Sequence, residues 1–290
     1  MQIEGFTGPF DFAIWRPGPA TMQDTKVEEA AFYGPYPRPE PSGVVGRGWQ
    51  VVRGMLIVLA GWSFCAIALT LASAFALITF RIKSAAYFHY VAGVSARFLL
   101  RLHGVRVELV NPELFSGRKA RVVFLNHASQ LDLFIMSTIL PPYGTTLAKK
   151  QVYYIPFFNF IFFAFAIPTI DRSNLKKAIT TLGHVAKLVT RRQATVCIAP
   201  EGTRSHDGTL GEFKKGPFHL AAHLDVPVVL AVIKGAHECL PMGRLVSKPG
   251  VIRVEMVAEI LGERFTTENI DEMRDEVRDI YLRELGQSKN

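Results

Sequence analysis

His127 and Asp132, in the run Asn126-His127-Ala128-Ser129-Gln130-Leu131-Asp132, are the residues whose types and spacing can do chemistry. A neutral imidazole is a general base near physiological pH. A carboxylate behind it fixes its tautomer and stabilises the imidazolium, the division of labour of hydrolase triads. The same heptapeptide supports a plainer reading. Ser129 followed three residues later by Asp132 fits a capping box, in which Asp132 only satisfies amides of a first helical turn and His127 is a loop residue. The two roles do not exclude each other.

The elements that must position this pair are legible on either side. Arg121-Val122-Val123-Phe124-Leu125 is a β-branched and aromatic run of buried-strand type. After the pair, Leu133-Phe134-Ile135-Met136 and Ile139-Leu140 continue at helical spacing until Pro141-Pro142 stops them. His127 therefore falls at the carboxyl end of a strand, the rim where open α/β sheets bind ligands. A second such rim follows Ala194–Ala199. There Pro200-Glu201-Gly202-Thr203-Arg204-Ser205 offers a glycine for close approach, a hydroxyl, consecutive amides and a guanidinium able to fork onto phosphate. Taken alone it is also a well-made turn. Gly104–Val110, Val226–Lys234 and Val251–Val257 read as further strands, and Thr145–Lys150 as a short one ending in two lysines. Helices are expected from Asn174, capped by Ser173, to about Gln193, from Lys214-Lys215 to Leu224, and over Thr266–Leu285.

The composition adds a membrane. The chain is 49% apolar with net charge +8, and Met55 to Phe80 carries no charge over 26 residues, about 39 Å as a helix against a hydrocarbon core of about 30 Å. It begins too far in for a secretory signal and reads as a retained anchor. Residues 51–258 hold 24 Lys/Arg against 10 Asp/Glu. With no nucleic-acid signature, that basic balance points to anionic lipid or an anionic substrate. Basic residues after the anchor (Arg81, Lys83, Arg97, Arg101, Arg106) outnumber those before it (Arg47, Arg53), which places the domain on the cytoplasmic face. Cys65, Cys197 and Cys239 give neither a disulfide framework nor a metal spacing and read as core filling. The expected organisation is a proline-rich tail (1–46), anchoring and interfacial helices (47–103) and an α/β domain (104–290). Ala85–Leu102 is an interfacial helix or a core-packing one, and its place next to the apolar run favours the first. Val152–Ile170, with eight aromatics and cut by Pro156 and Pro168, is too short to cross a bilayer. It is a core segment, an aromatic surface at the headgroup level, or a wall along a fatty chain.

Four motifs then fall in one order. Asn126–Asp132 resembles an H-x4-D box, and Lys149-Lys150 through Ile155-Pro156-Phe157-Phe158 to Ile170-Asp171-Arg172 resembles a second block. Glu201-Gly202-Thr203-Arg204 resembles an E-G-T-R block, and Val226-Pro227-Val228-Val229 a final apolar one. Over residues 85–260 the chain thus resembles the glycerolipid acyltransferases, specifically the 1-acylglycerol-3-phosphate acyltransferases. It departs from their usual pattern at Asn159 and Ala166, where glycine is common, and at Pro168. The resemblance implies a mixed central sheet flanked by helices, like that of glycerol-3-phosphate acyltransferases, with an N-terminal membrane-anchoring helix. It also implies acyl transfer from acyl-CoA or acyl-carrier protein to the sn-2 hydroxyl of lysophosphatidic acid, giving phosphatidic acid, without cofactor or metal, at a membrane such as a bacterial inner membrane. His127 and Asp132 would be catalytic. Lys149, Arg172, Glu201, Gly202, Thr203 and Arg204 would bind substrate, Glu201 by positioning Arg204 or the glycerol hydroxyl. Two other classes stay open: a serine lipase or esterase using Ser129, which lacks a G-x-S-x-G elbow, and a non-catalytic lipid-binding protein, which has no need of His127 and Asp132 together.

Overall fold

The structure, a computed structural model, describes residues 44–288 apart from short stretches at 79–83, 116–119, 142–143, 155–158, 160–161, 164–166, 172–174 and 245. The tail expected over 1–46 lies almost wholly outside the described residues, as do Arg172 and the Ser173 cap.

A six-stranded sheet carries the fold. Its strands are β1 (Val105–Val110), β2 (Arg121–Leu125), β3 (Thr145–Thr146), β6 (Thr195–Ile198), β7 (Val228–Lys234) and β8 (Gly250–Ile260), in the order β1-β8-β7-β2-β6-β3. All neighbours are parallel except β7 and β8, so the sheet is mixed, as expected. β4 (Ala148–Lys149) and β5 (Thr169–Ile170) form a separate parallel pair. The run 145–150 is therefore divided between two sheets rather than being one strand.

Strand alternation builds a core on each face. Val122, Phe124, Val196, Ile198, Val228 and Leu230 point to one side. They meet helices α4 (Leu175–Arg192), α5 (Lys215–Leu224) and α7 (Ile270–Leu285) through Val185, Val189, Phe218, Leu220, Val277 and Tyr281. Val123, Leu125, Cys197, Val229 and Ala231 point to the other. There they meet α2 (Ser84–Leu102), α3 (Asp132–Ile139) and the single turn α6 (Ala236–Cys239) through Leu100, Leu131, Ile135, Met136 and Cys239. Cys197 and Cys239 are core residues, as their lack of pattern suggested. Burial in this apolar setting pushes the Cys197 thiol up to about 12.

Helix α1 (Val44–Ile78) is 35 residues long, and Gly54–Phe75 is apolar enough to cross a membrane. One side of it lies against the rest of the chain. A Cβ on Gly54 would fall 2.6 Å from Val246, and one on Gly61 would fall 2.5 Å from Leu99, so these contacts require glycine. Further along, Leu69, Ala72 and Leu77 pack with Phe162, Val91, Ala148 and Val152. The other side exposes Met55, Leu59, Phe64, Ile67, Leu71, Phe75 and Ile78, spaced three to five apart. Helix α1 thus lies lengthwise against the rest of the chain.

Two segments carry both buried and exposed apolar side chains. In α2, Ala96, Leu99 and Leu100 are buried while Tyr90, Val94 and Phe98 are exposed, so the helix is at once a core helix and part of the outward apolar face. In the aromatic run, Phe162 is buried whereas Tyr154 and Phe163 are exposed. Deleting 51–83 is expected to uncover the side of α2 that now packs on α1. The truncated protein should then aggregate without detergent in size-exclusion chromatography. A monodisperse, fully active protein would show that α1 contributes nothing to this surface.

Candidate active site

The site is assembled where β2, β6 and β7 end. Asn126 closes the ladder: its amide oxygen accepts from the Ile233 N–H (2.7 Å) and its Nδ2 donates to the Ile233 carbonyl (2.9 Å). Side-chain hydrogen bonds thus replace the backbone pairing that β2 gives up as it turns away. Beneath it the Tyr281 hydroxyl, wholly buried, donates to the carbonyls of Phe124 (2.7 Å) and Ala231 (3.2 Å). Burial raises this phenol well above its ordinary pKa and keeps it neutral. Neither role was assigned from sequence.

His127 and Asp132 meet. Nδ1 of the imidazole lies 2.7 Å from Oδ2 of Asp132, which is almost fully buried and also accepts from the Ala128 and Ser129 N–H groups, both at 2.9 Å. A carboxylate oxygen in that position makes Nδ1 the protonated nitrogen, so Nε2 keeps the free lone pair. The imidazole is 20% exposed, open to an incoming hydroxyl. One oxygen of Asp132 thus touches both the imidazole and two amides of the turn. The helix start differs from the capping box, however. Leu131 occupies the N-cap position, and Ser129 accepts from the Leu131 N–H rather than from Asp132. Ser129 is fully buried and its Oγ donates to the Leu240 carbonyl at 2.7 Å, so it is no nucleophile and the serine-hydrolase reading falls.

The turn after β6 departs more from expectation. Glu201 is 3% exposed and faces inward: Oε1 accepts from the His127 N–H (2.7 Å) and Oε2 from the Gly211 N–H (2.9 Å). Each oxygen accepts from a backbone amide, and among the described residues Glu201 makes no direct bond to Arg204. Burial pushes its carboxyl up to about 7, against the lowering effect of the two amides. Gly202 has φ 74° and its N–H bonds to the Ala199 carbonyl, which removes that amide from any phosphate site; Thr203 beside it is exposed. Ser205 returns to the dyad, its N–H donating to the His127 carbonyl at 2.8 Å.

Between these two grips sits Arg204, half-buried, with its Nε–H buried and unpaired. A buried donor left unsatisfied costs about 1–3 kcal/mol, which a bound anion would recover. Lys149 ends β4 and is exposed, free to meet solvent or ligand, whereas its neighbour Lys150 pairs with Asp171 at 3.1 Å. The structure therefore brings together His127, Asp132, Glu201 and the Arg204 segment. It shows no bond from Lys149 to them, and Arg172 lies outside the described residues. No group of three or more His, Cys, Asp or Glu suited to a metal occurs among the described residues.

Relatives place this constellation. Residues 106–234 match the family model described as Acyltransferase. The chain is 30% identical over 203 residues to a 1-acyl-sn-glycerol-3-phosphate acyltransferase of Limnanthes alba, covering 70% of each. It is 30% identical over 256 residues to one of Saccharomyces cerevisiae, covering 84% of this chain and 81% of that one. The alpha form of Homo sapiens is 31% identical over 183 residues, 62% of this chain and 64% of its own. The crystal structure of the 1-acyl-sn-glycerophosphate (LPA) acyltransferase PlsC from Thermotoga maritima shares the fold, with a TM-score of 0.66 at 20% identity over 81% of this chain and 97% of that one. The chain belongs to the 1-acyl-sn-glycerol-3-phosphate acyltransferase family.

Proposed function

We propose that the protein moves a fatty acyl group from acyl-CoA or acyl-carrier protein to the sn-2 hydroxyl of 1-acylglycerol-3-phosphate, giving phosphatidic acid. The observation that carries this reading is the segment Glu201–Ser205. It is bonded to His127 at both ends and holds between them a guanidinium with a buried, unpaired N–H. Base and anion receptor are thus parts of one rigid unit, which suits an acceptor bearing both a phosphate and a hydroxyl.

The steps follow from the geometry. Arg204 forks onto the phosphate with Lys149 and the exposed Thr203 alongside, which holds the glycerol hydroxyl at Nε2 of His127. Nε2 takes the hydroxyl proton as the oxygen attacks the thioester carbonyl, while Asp132 balances the imidazolium. The tetrahedral intermediate collapses, the C–S bond breaks, and the imidazolium returns its proton to the leaving thiolate. The outward apolar face of α1 and α2, with Tyr154 and Phe163, keeps the domain in the lipid surface into which a two-tailed product must pass. The catalytic side is cytoplasmic on this reading, where the donors are made.

Mass spectrometry of lipids made by the purified protein from a panel of acceptors and donors tests the substrate class. Phosphatidic acid should dominate, and its absence would reject the proposal. Arg204→Lys tests the phosphate contact. It keeps the charge but loses the fork, so KM for lysophosphatidic acid should rise about tenfold with KM for the acyl donor little changed. A monoacylglycerol, which has no phosphate, should show a much smaller change. Equal losses on both acceptors would assign Arg204 to the fold of its turn.

A further inference from the structure

Glu201 is the buried titratable group that this chemistry leaves unused. It carries an ionisable carboxyl where no lysine or arginine forms an ion pair with it among the described residues, and its only direct partners are two backbone amides. Nothing in acyl transfer requires a carboxylate there. Resting on the reading of His127 as base and Arg204 as phosphate ligand, we propose that Glu201 is a positioning residue that fixes the distance between the imidazole and the guanidinium.

The argument is one of hydrogen-bond capacity. An ionised carboxylate accepts at both oxygens; an amide or a protonated carboxyl presents a donor on one side. The two groups facing Glu201 are both donors, one on the base itself and one on Gly211, where the loop after Arg204 rejoins the body. The charged form holds both best, since a protonated oxygen accepts more weakly and must turn its O–H aside. Ser205 adds the opposite grip on the His127 carbonyl, so the peptide units on either side of the base are tied to the segment that bears Arg204. The groups around the carboxylate act against one another: Asp132 disfavours the charge and Arg278, itself paired with Glu212, favours it. His127 and the neutral Tyr281 complete the surroundings. With the carboxyl pushed up to about 7, the clamp is complete above neutrality and loosens below it.

Glu201→Gln is a permanent version of the loosened state. In the full-length protein, kcat for lysophosphatidic acid at pH 8 should fall roughly 10- to 100-fold, as for a misplacement of about 1 Å, while KM for the acceptor stays within about twofold. The ratio of wild-type to variant kcat should shrink as pH falls from 8 to 6, because the wild type approaches the variant. A folded-state pKa above the unfolded value means that wild-type stability declines as pH rises from about 4.5 through about 7. The melting temperature of the glutamine variant relative to wild type should therefore rise over the same window. Gly211→Ala is the second arm. Its methyl would sit 3.1 Å from Oε2 and press on the carboxylate from behind, so it should lower kcat at constant KM even if the glutamine variant does not fold. A large rise in acceptor KM at unchanged kcat would mean that Glu201 touches substrate. A pH-independent ratio of kcat values would mean that it only supports the fold. Either result overturns the proposal. Failure of the underlying reading appears separately, as a wild type that does not acylate lysophosphatidic acid or a His127→Ala variant that still does.

Discussion

The His127→Ala variant is expected to fold, to stay with the membrane fraction and to transfer acyl groups about 10²–10⁴ times more slowly, the usual contribution of a positioned base. The backbone bonds that shape the turn survive, because Glu201 and Ser205 hold the N–H and C=O of residue 127, not its ring. Asp132 keeps its two amide donors. The imidazole is part-exposed and fills no core, so stability should change little. The check is kcat at saturating donor and acceptor alongside thermal unfolding. Near-normal turnover by a folded variant would remove His127 from the chemistry.

Asp132→Asn is expected to cost less, on the order of 10- to 100-fold in kcat, although in serine-protease triads the same exchange costs about 10⁴ by turning the imidazole to the wrong tautomer. The difference lies in what else the carboxylate holds. Oδ2 accepts from the Ala128 and Ser129 N–H groups, so an asparagine placing its NH2 there would set donors against donors. Its oxygen must take that position, where it still accepts from Nδ1–H. The tautomer is preserved and only the charge opposite the imidazolium is lost. Asp132→Ala, which removes the acceptor altogether, should approach the His127→Ala value. If asparagine and alanine at this position were equally damaging, the amides would not control the orientation.

The His127–Asp132 pair was legible because local spacing carries it: an apolar run, a turn and a helical pattern together put His127 at a strand end. What could not be read were bonds between distant residues. Asn126 pairs with Ile233 and Tyr281 with Phe124 across more than a hundred positions, and neither leaves a periodic trace. The contacts of Glu201 were hidden for a related reason. The sequence shows a carboxylate beside an arginine but not which way it faces, and here the fold turns it inward to two amides and leaves the guanidinium alone. The Gly202 amide failed as a phosphate donor because the turn that presents it also consumes it. β4 and β5 are two-residue strands whose pairing depends on each other, too short for any alternation to announce them.

The edge strand has a consequence for synthesis. β1 follows α1 and α2, yet among the described residues its only partner in the sheet is β8, with Val105 opposite Gly250 and Val110 opposite Glu255. At translation rates of about 5–20 residues per second, roughly 140 residues must emerge after β1 before that partner exists, a wait of about 7–30 s. During this time β1 has its backbone edge unpaired, while β2, β6 and β7 can pair with one another first. The slow long-range closure falls last.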